Sequence, residues 1–105
     1  MSLSTIYQQN DIGISLISTI YQPNGVAQNI SAASGLNFYL FRPSQDYLTY
    51  SGEFYTNGND GQIQYTTTSG DLSEAGIYRY QSSYFITPNV LIYSQKVPFL
   101  VEPNP

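Results

Sequence analysis

The sequence predicts an all-β fold, an antiparallel sandwich of about seven strands, and three observations carry that prediction. Turn-forming clusters recur about every 8–12 residues. The segments between them alternate apolar with polar side chains or are rich in aromatic and β-branched residues. No stretch carries the 3.6-residue period of an amphipathic helix. At 105 residues the chain has the size of one domain, residues 1–105, able to bury roughly two-thirds of its unfolded surface around a single core. That core must hold without covalent help, because the chain has no cysteine for a disulfide or a thiolate metal site.

The first main strand is expected over residues 12–21, where Ile12, Ile14, Leu16 and Ile20 share one face and Ser15 and Thr19 the other. A short extra strand fits at Ile6 and Tyr7 before it. Gln22-Pro23-Asn24-Gly25 ends the main strand, with proline fixing φ and glycine supplying positive φ. Residues 26–34 read as a polar connection pinned by Val26 and Ile30, and a strand over 36–42 follows. Pro43-Ser44-Gln45-Asp46 turns the chain into a strand over 47–55. That strand reverses at Thr56-Asn57-Gly58-Asn59-Asp60-Gly61, the strongest hairpin signal in the sequence, with Gly61 as its closing turn glycine. Residues 62–68 place Ile63 and Tyr65 inward, and a polar loop over 69–75 leads into the central strand, 76–86. Thr87-Pro88-Asn89 turns the chain again, and residues 90–101 supply one or two closing strands with Val97, Phe99 and Val101 on one face. The tail from Glu102 is expected to fray.

Composition narrows the chemistry. Histidine is absent, which removes the usual general base near neutral pH and the commonest metal ligand. Three cations, Arg42, Arg79 and Lys96, stand against seven acids, and the net charge of −4 argues against nucleic acid and anionic membrane as partners. The first twenty residues lack a basic n-region, and no stretch approaches the roughly 20 apolar residues of a membrane span. A protein without an export signal or membrane anchor is the expectation. No cofactor is implied.

The most informative segment is GDLSEAGIYRYQ, residues 70–81. Glu74-Ala75-Gly76-Ile77-Tyr78-Arg79-Tyr80 matches the acidic-x-small-x-Tyr-x-Cys run that opens the sixth strand of immunoglobulin domains, except that Tyr80 replaces the cysteine. Gly76 lets the chain turn tightly, and the Tyr78 hydroxyl can bond back to the backbone a few residues upstream. The alternative is a packed core tyrosine without that bond. The predicted fold is therefore an immunoglobulin-like antiparallel β-sandwich.

Two groups of polar residues could carry chemistry. The oxygen-rich loop from Asn57 to Gly61 invites a calcium reading, but Asp60 is its only carboxylate, and a plain hairpin turn explains it. Asp71 and Glu74 lie three apart, as paired carboxylates of glycosidases can; a loop cap by Asp71 or Ser73, with Glu74 solvated, is the simpler reading. Hydroxyls are plentiful, yet no histidine or suitably placed lysine is there to activate one, so a non-enzymatic protein is expected.

Eleven tyrosines and five phenylalanines are the other conspicuous feature. Tyr39 and Phe41 oppose Leu36, Phe38 and Leu40 on one strand, and Tyr84 and Phe85 occupy both sides of another. A second aromatic face implies a cover, so Tyr39, Phe41, Tyr47, Tyr50, Tyr84 and Phe85 are candidate interface residues. Partly exposed tyrosines on a small sandwich are the plainer account.

The runs NDIG, ISLISTIYQPNG, NISAAS, FYLFRPSQ, NDGQIQYTTTSGDLSEAGIYRYQ and VPFLVEP together resemble a family of small immunoglobulin-like bacteriophage virion proteins. That family includes the N-terminal module of phage baseplate upper proteins and stand-alone homologues. The resemblance spans residues 11–103, most specifically 60–81. Pro43-Ser44-Gln45-Asp46 departs from the Pro-Asp-Gly turn common in the family. The resemblance implies a structural component of the virion, made in the host cytoplasm: a capsid decoration or cement protein, a head fibre base, or a baseplate or neck component. Its implied partners are other virion proteins, capsid or tail subunits, with a homo-oligomer as a further option. The competing expectations are a carbohydrate-binding module stacking sugars on Tyr47, Tyr50 or Tyr55, and a secreted adhesin module, which the missing signal disfavours.

Overall fold

Twelve residues of continuous strand, from Gly76 to Thr87, organise the larger of two sheets. The computed structural model describes residues 5–44, 46–87 and 90–103. The strands among the described residues are β1 (Ile6–Gln8), β2 (Ser15–Thr19), β3 (Ser34–Phe41), β4 (Tyr47–Ser51), β5 (Glu53–Phe54), β6 (Gln62–Thr66), β7 (Gly76–Thr87), β8 (Val90–Tyr93) and β9 (Val97–Glu102). The larger sheet runs β1-β9-β7-β3-β4, with β8 also on β7, and the smaller runs β2-β6-β5. The ladders are antiparallel except β1 with β9, which is parallel. First strand beside last, and second beside sixth and fifth in the opposing layer, is the order of an immunoglobulin-like sandwich.

Several boundaries differ from the sequence reading. Residues 47–55 form two strands, β4 and β5, which belong to different sheets. The chain crosses between layers at Gly52, where a Cβ would sit 2.7 Å from the Ile63 side chain, and the Gly52 N–H donates to the Leu36 carbonyl. The first main strand begins at Ser15, leaving Ile12 exposed outside it. Val26 is exposed and pins nothing, whereas Ile30 is fully buried. Glu102 is the last residue of β9, paired with Gln8, rather than part of a frayed tail. The expected turns at residues 43–46 and 87–89 include Gln45, Pro88 and Asn89, which lie outside the described residues, as do residues 104–105 of the tail.

Period-two alternation sends Leu16 of β2, Ile63 of β6, Phe38 and Leu40 of β3, Tyr78 and Tyr84 of β7, and Phe99 and Val101 of β9 into the space between the sheets, where Ile20, just past the end of β2, joins them. Loop residues Ile30 and Leu72 close its ends. A file of rings runs through this core. Tyr50 stacks on Tyr65 at 4.2 Å between centroids, Phe38 lies 5.5 Å from Tyr65 and 5.4 Å from Tyr80, and Phe99 lies 5.3 Å from Tyr78. Such pairs contribute roughly 0.5–1.5 kcal/mol each beyond their buried area.

Hydroxyl groups tie the two layers together. In antibody domains a disulfide joins the second strand to the sixth. Here Tyr80 stands at the cysteine position, and its hydroxyl donates to the Ile17 carbonyl on β2 at 3.0 Å. One step along, Ser82 donates to Ser18 at 2.9 Å, Ser18 to Ser94 at 2.9 Å, and Ser94 to the Gln95 carbonyl at 2.9 Å. Among the described residues no buried side-chain nitrogen or oxygen lacks a partner.

The Tyr78 hydroxyl donates to the Glu74 carbonyl at 2.8 Å and accepts the Glu74 N–H at 3.0 Å, closing a tyrosine corner around Gly76. Gly61 has φ +71°, and a Cβ there would meet the Gln28 carbonyl at 2.6 Å and the Ile20 carbonyl at 2.8 Å.

Two substitutions test this framework by urea denaturation with an unchanged dependence on denaturant. Tyr78→Phe keeps the fold and loses roughly 1–3 kcal/mol, because two backbone groups of Glu74 lose their partner. Gly61→Ala costs more than about 1 kcal/mol, since neither the positive φ nor the two carbonyls accept a methyl group. Wild-type stability in either variant contradicts the assignment.

Candidate interaction surface

Strand register sorts the aromatic side chains into two populations. Phe38 pairs with Tyr50 and Leu40 with Tyr80 on the inner face, while Tyr39 pairs with Gln81, and Phe41 with both Tyr47 and Arg79, on the outer face. Two of the six expected interface residues are therefore corrected to core positions. Tyr84 is 3% exposed and packs between the sheets. Tyr50 is half-buried, its ring stacked on Tyr65 and its hydroxyl donated to Asp71. Phe85 faces outward but lies over Gly35, where a Cβ would be 2.8 Å from its ring. Tyr39, Phe41 and Tyr47 remain on the outer face, with Tyr47 59% exposed. Tyr47, Tyr50 and Tyr55 do not form one sugar platform: Tyr47 points out from the large sheet, Tyr50 points inward, and Tyr55 follows β5 of the small sheet.

The outer face carries a concavity of about 200 Å3 lined by Tyr39, Phe41, Tyr47, Gln81 and Tyr93. Its walls are rings at several inclinations: Tyr39 meets Tyr47 edge-on at 6.3 Å, Tyr39 lies 6.0 Å from Tyr93, and Phe41 lies 5.5 Å from Tyr47. Tyr39 shares a 3.1 Å hydrogen bond with Ser83, and Gln81 donates its amide to the Ser94 carbonyl at 2.9 Å. The Lys96 ammonium sits 4.6 Å from the centre of the Phe41 ring. The neighbouring Tyr39, and then desolvation, raise the Tyr93 hydroxyl above its ordinary pKa.

A second exposed feature was not foreseen. All four side chains of β8, Val90, Leu91, Ile92 and Tyr93, are between 38% and 53% exposed. β8 pairs with β7 on one side, and its other edge has no strand against it among the described residues. Edge strands are commonly blunted by charge or proline. β8 contains neither, although a register shift lies at its turn end between Phe85 and Thr87. Even Ile92, opposite buried Tyr84 on the inner face, is 38% exposed. The uncharged run VLIY was the signal in the sequence; what it lacked was any indication that β8 would be an edge strand.

The two carboxylates singled out earlier serve structure. Asp71 is buried and accepts hydrogen bonds from the Tyr50 hydroxyl, the Tyr65 hydroxyl at 2.6 Å and the Thr68 N–H at 2.8 Å. It thus caps its loop and joins a tyrosine from each sheet. Glu74 is not simply solvated: it accepts from the Ser44 N–H at 3.1 Å and hydroxyl at 3.0 Å, and pairs with Arg42 at 3.5 Å. Arg42 also grips Asp46 through two nitrogens and holds its carboxyl below the usual range. Asp60, from the loop considered for calcium, accepts from the Gln62 N–H at 3.1 Å and the Thr56 hydroxyl at 2.7 Å.

Burial raises the hydroxyls of Tyr50, Tyr65, Tyr78, Tyr80 and Tyr84 above their ordinary value of 10.0. A raised phenol keeps its proton in the fold while the unfolded chain releases it, so its contribution is complete below pH 10 and is lost as pH rises through the folded values. The urea midpoint should hold between neutrality and about pH 9 and fall above about pH 10, with phenol ionisation by absorbance tracking the loss of fold. Titration of all eleven tyrosines near pH 10 with the fold intact would falsify this.

No protein-family model matches the chain, and no curated protein matches it.

Proposed function

We propose that this chain is a non-enzymatic binding module of a bacteriophage virion, an immunoglobulin-like domain that attaches to other virion proteins. The places open to it are capsid decoration or cement, a head fibre base, and the baseplate or neck. The sequence resemblance over residues 11–103 supports the virion setting. The observation that carries the binding role is the bare apolar edge of β8, with Val90, Leu91, Ile92 and Tyr93 all exposed on a strand whose outer side has no partner among the described residues.

Such an edge is competent for β-augmentation, in which a partner strand satisfies the free backbone groups and apolar side chains on both faces lose their contact with water. Either a capsid or tail subunit or a second copy of this chain can supply that strand. The charge balance, three cations against seven acids, disfavours nucleic acid and anionic membrane as alternatives.

Lysine at Leu91 or Ile92 places a charge on the edge without disturbing the core, because both side chains are already exposed. Leu91→Lys and Ile92→Lys should leave the denaturation midpoint near wild type and weaken capture of phage capsid and tail subunits by about tenfold or more. Undiminished capture by both variants, or no capture by the wild type, contradicts the proposal.

A further inference from the structure

Two of the three cations lie on the face that holds the aromatic pocket. Lys96 places its ammonium 4.6 Å from the Phe41 ring centre, and Arg79 is the direct cross-strand partner of Phe41. Facing side chains in such a pair have Cβ atoms about 4.5–5.5 Å apart. Neither cation is in an ion pair among the described residues. Asp46 and Glu74 are both paired with Arg42. On a protein of net charge −4, the Phe41 end of the pocket thus has two cations beside it that no described carboxylate pairs with.

The pocket's size and walls constrain its occupant. About 200 Å3 is below the roughly 300–1,000 Å3 that a drug-sized ligand fills, which leaves space for one small ring. Rings inclined to one another by 70°, 36° and 41° form walls rather than a flat platform. They suit a saturated ring that presents C–H bonds to aromatic faces and hydroxyls to Gln81 and the phenols of Tyr47 and Tyr93. The two cations call for a carboxylate on that ring.

We infer that Tyr39, Phe41, Tyr47, Gln81 and Tyr93, flanked by Arg79 and Lys96, form a binding site for a carboxylated sugar unit of the hexuronate type. The carboxylate lies toward Lys96 and Arg79, and the ring sits against Phe41, Tyr47 and Tyr93. An acidic peptide would satisfy the two cations, but an extended chain has no need of a ring-sized hollow and has the β8 edge available to it.

Titration calorimetry of the full chain tests this, with an oligoglucuronate, a neutral glucose oligomer of equal length and an oligoglutamate as probes. The oligoglucuronate should bind saturably and more weakly as salt is raised. The glucose oligomer, and the oligoglucuronate with the Lys96→Gln/Arg79→Gln variant, should bind about tenfold more weakly or worse, the loss expected for one charge-assisted contact. Both substituted residues are exposed, and the variant's denaturation midpoint verifies its fold. Absence of saturable oligoglucuronate binding, equal binding by the variant, or tighter binding of oligoglutamate each overturns the assignment. The same variant leaves β8 untouched, so it should capture virion proteins like the wild type, which separates failure of this site from failure of the edge.

Discussion

The constraint from which most of this structure follows is a mismatch in strand length. β7 runs for 12 residues, and the layer that must cover its inner face is built from strands of 5, 5 and 2 residues. No single neighbour spans β7 on its second edge either, so β9 takes the first half and β8 the second, with the chain dipping inward at Ser94 between them. Where the small sheet covers β7, Tyr78 and Ser82 are fully buried. β8, beside the second half of β7, is exposed at all four side chains. The candidate binding edge thus follows from the division of β7's second edge between β9 and β8.

With no cysteine, the layers are clamped by hydroxyl groups instead. Tyr80 reaches the β2 backbone, the chain from Ser82 through Ser18 to Ser94 crosses the core, and Asp71 gathers Tyr50 from one sheet and Tyr65 from the other. This accounts for much of the tyrosine content without any partner. Each inward tyrosine in these links fills the core with its ring and offers one donor to a buried acceptor, which avoids the cost of an unsatisfied polar group. The tyrosines outside these links include Tyr39, Tyr47 and Tyr93 on the outer face, and exposed Tyr21 and Tyr55 elsewhere.

The fold was largely legible because its signals are local. Alternation marked β2, β3, β6 and β9, and the spacing from Glu74 to Tyr78 marked the corner. What escaped was set by contacts distant in sequence. Gly52 reads as an ordinary strand residue until Ile63 and Leu36 are placed around it, so the change of sheet within residues 47–55 was invisible. Tyr50 and Tyr84 look like Tyr39 and Tyr47 until register assigns them to the inner face. Asp71 carried no sign that two phenols converge on it. For the pocket, Tyr39, Phe41 and Tyr47 were identifiable from their strands, whereas Gln81, Tyr93 and Lys96 join them only through the pairing of β3, β7 and β8.

The sandwich therefore offers two distinct exposed features, an apolar strand edge suited to another polypeptide and a ring-lined hollow flanked by cations. The edge is the more consequential, since the proposed attachment to another protein rests on that particular stretch of backbone. Amide hydrogen exchange over residues 90–93, followed in the free chain and in the assembled particle, tests it most directly. The outward-facing amides of β8 should exchange rapidly in the free chain and become strongly protected in the particle. Equal exchange in the two states would contradict the claim that this edge is where the protein is held.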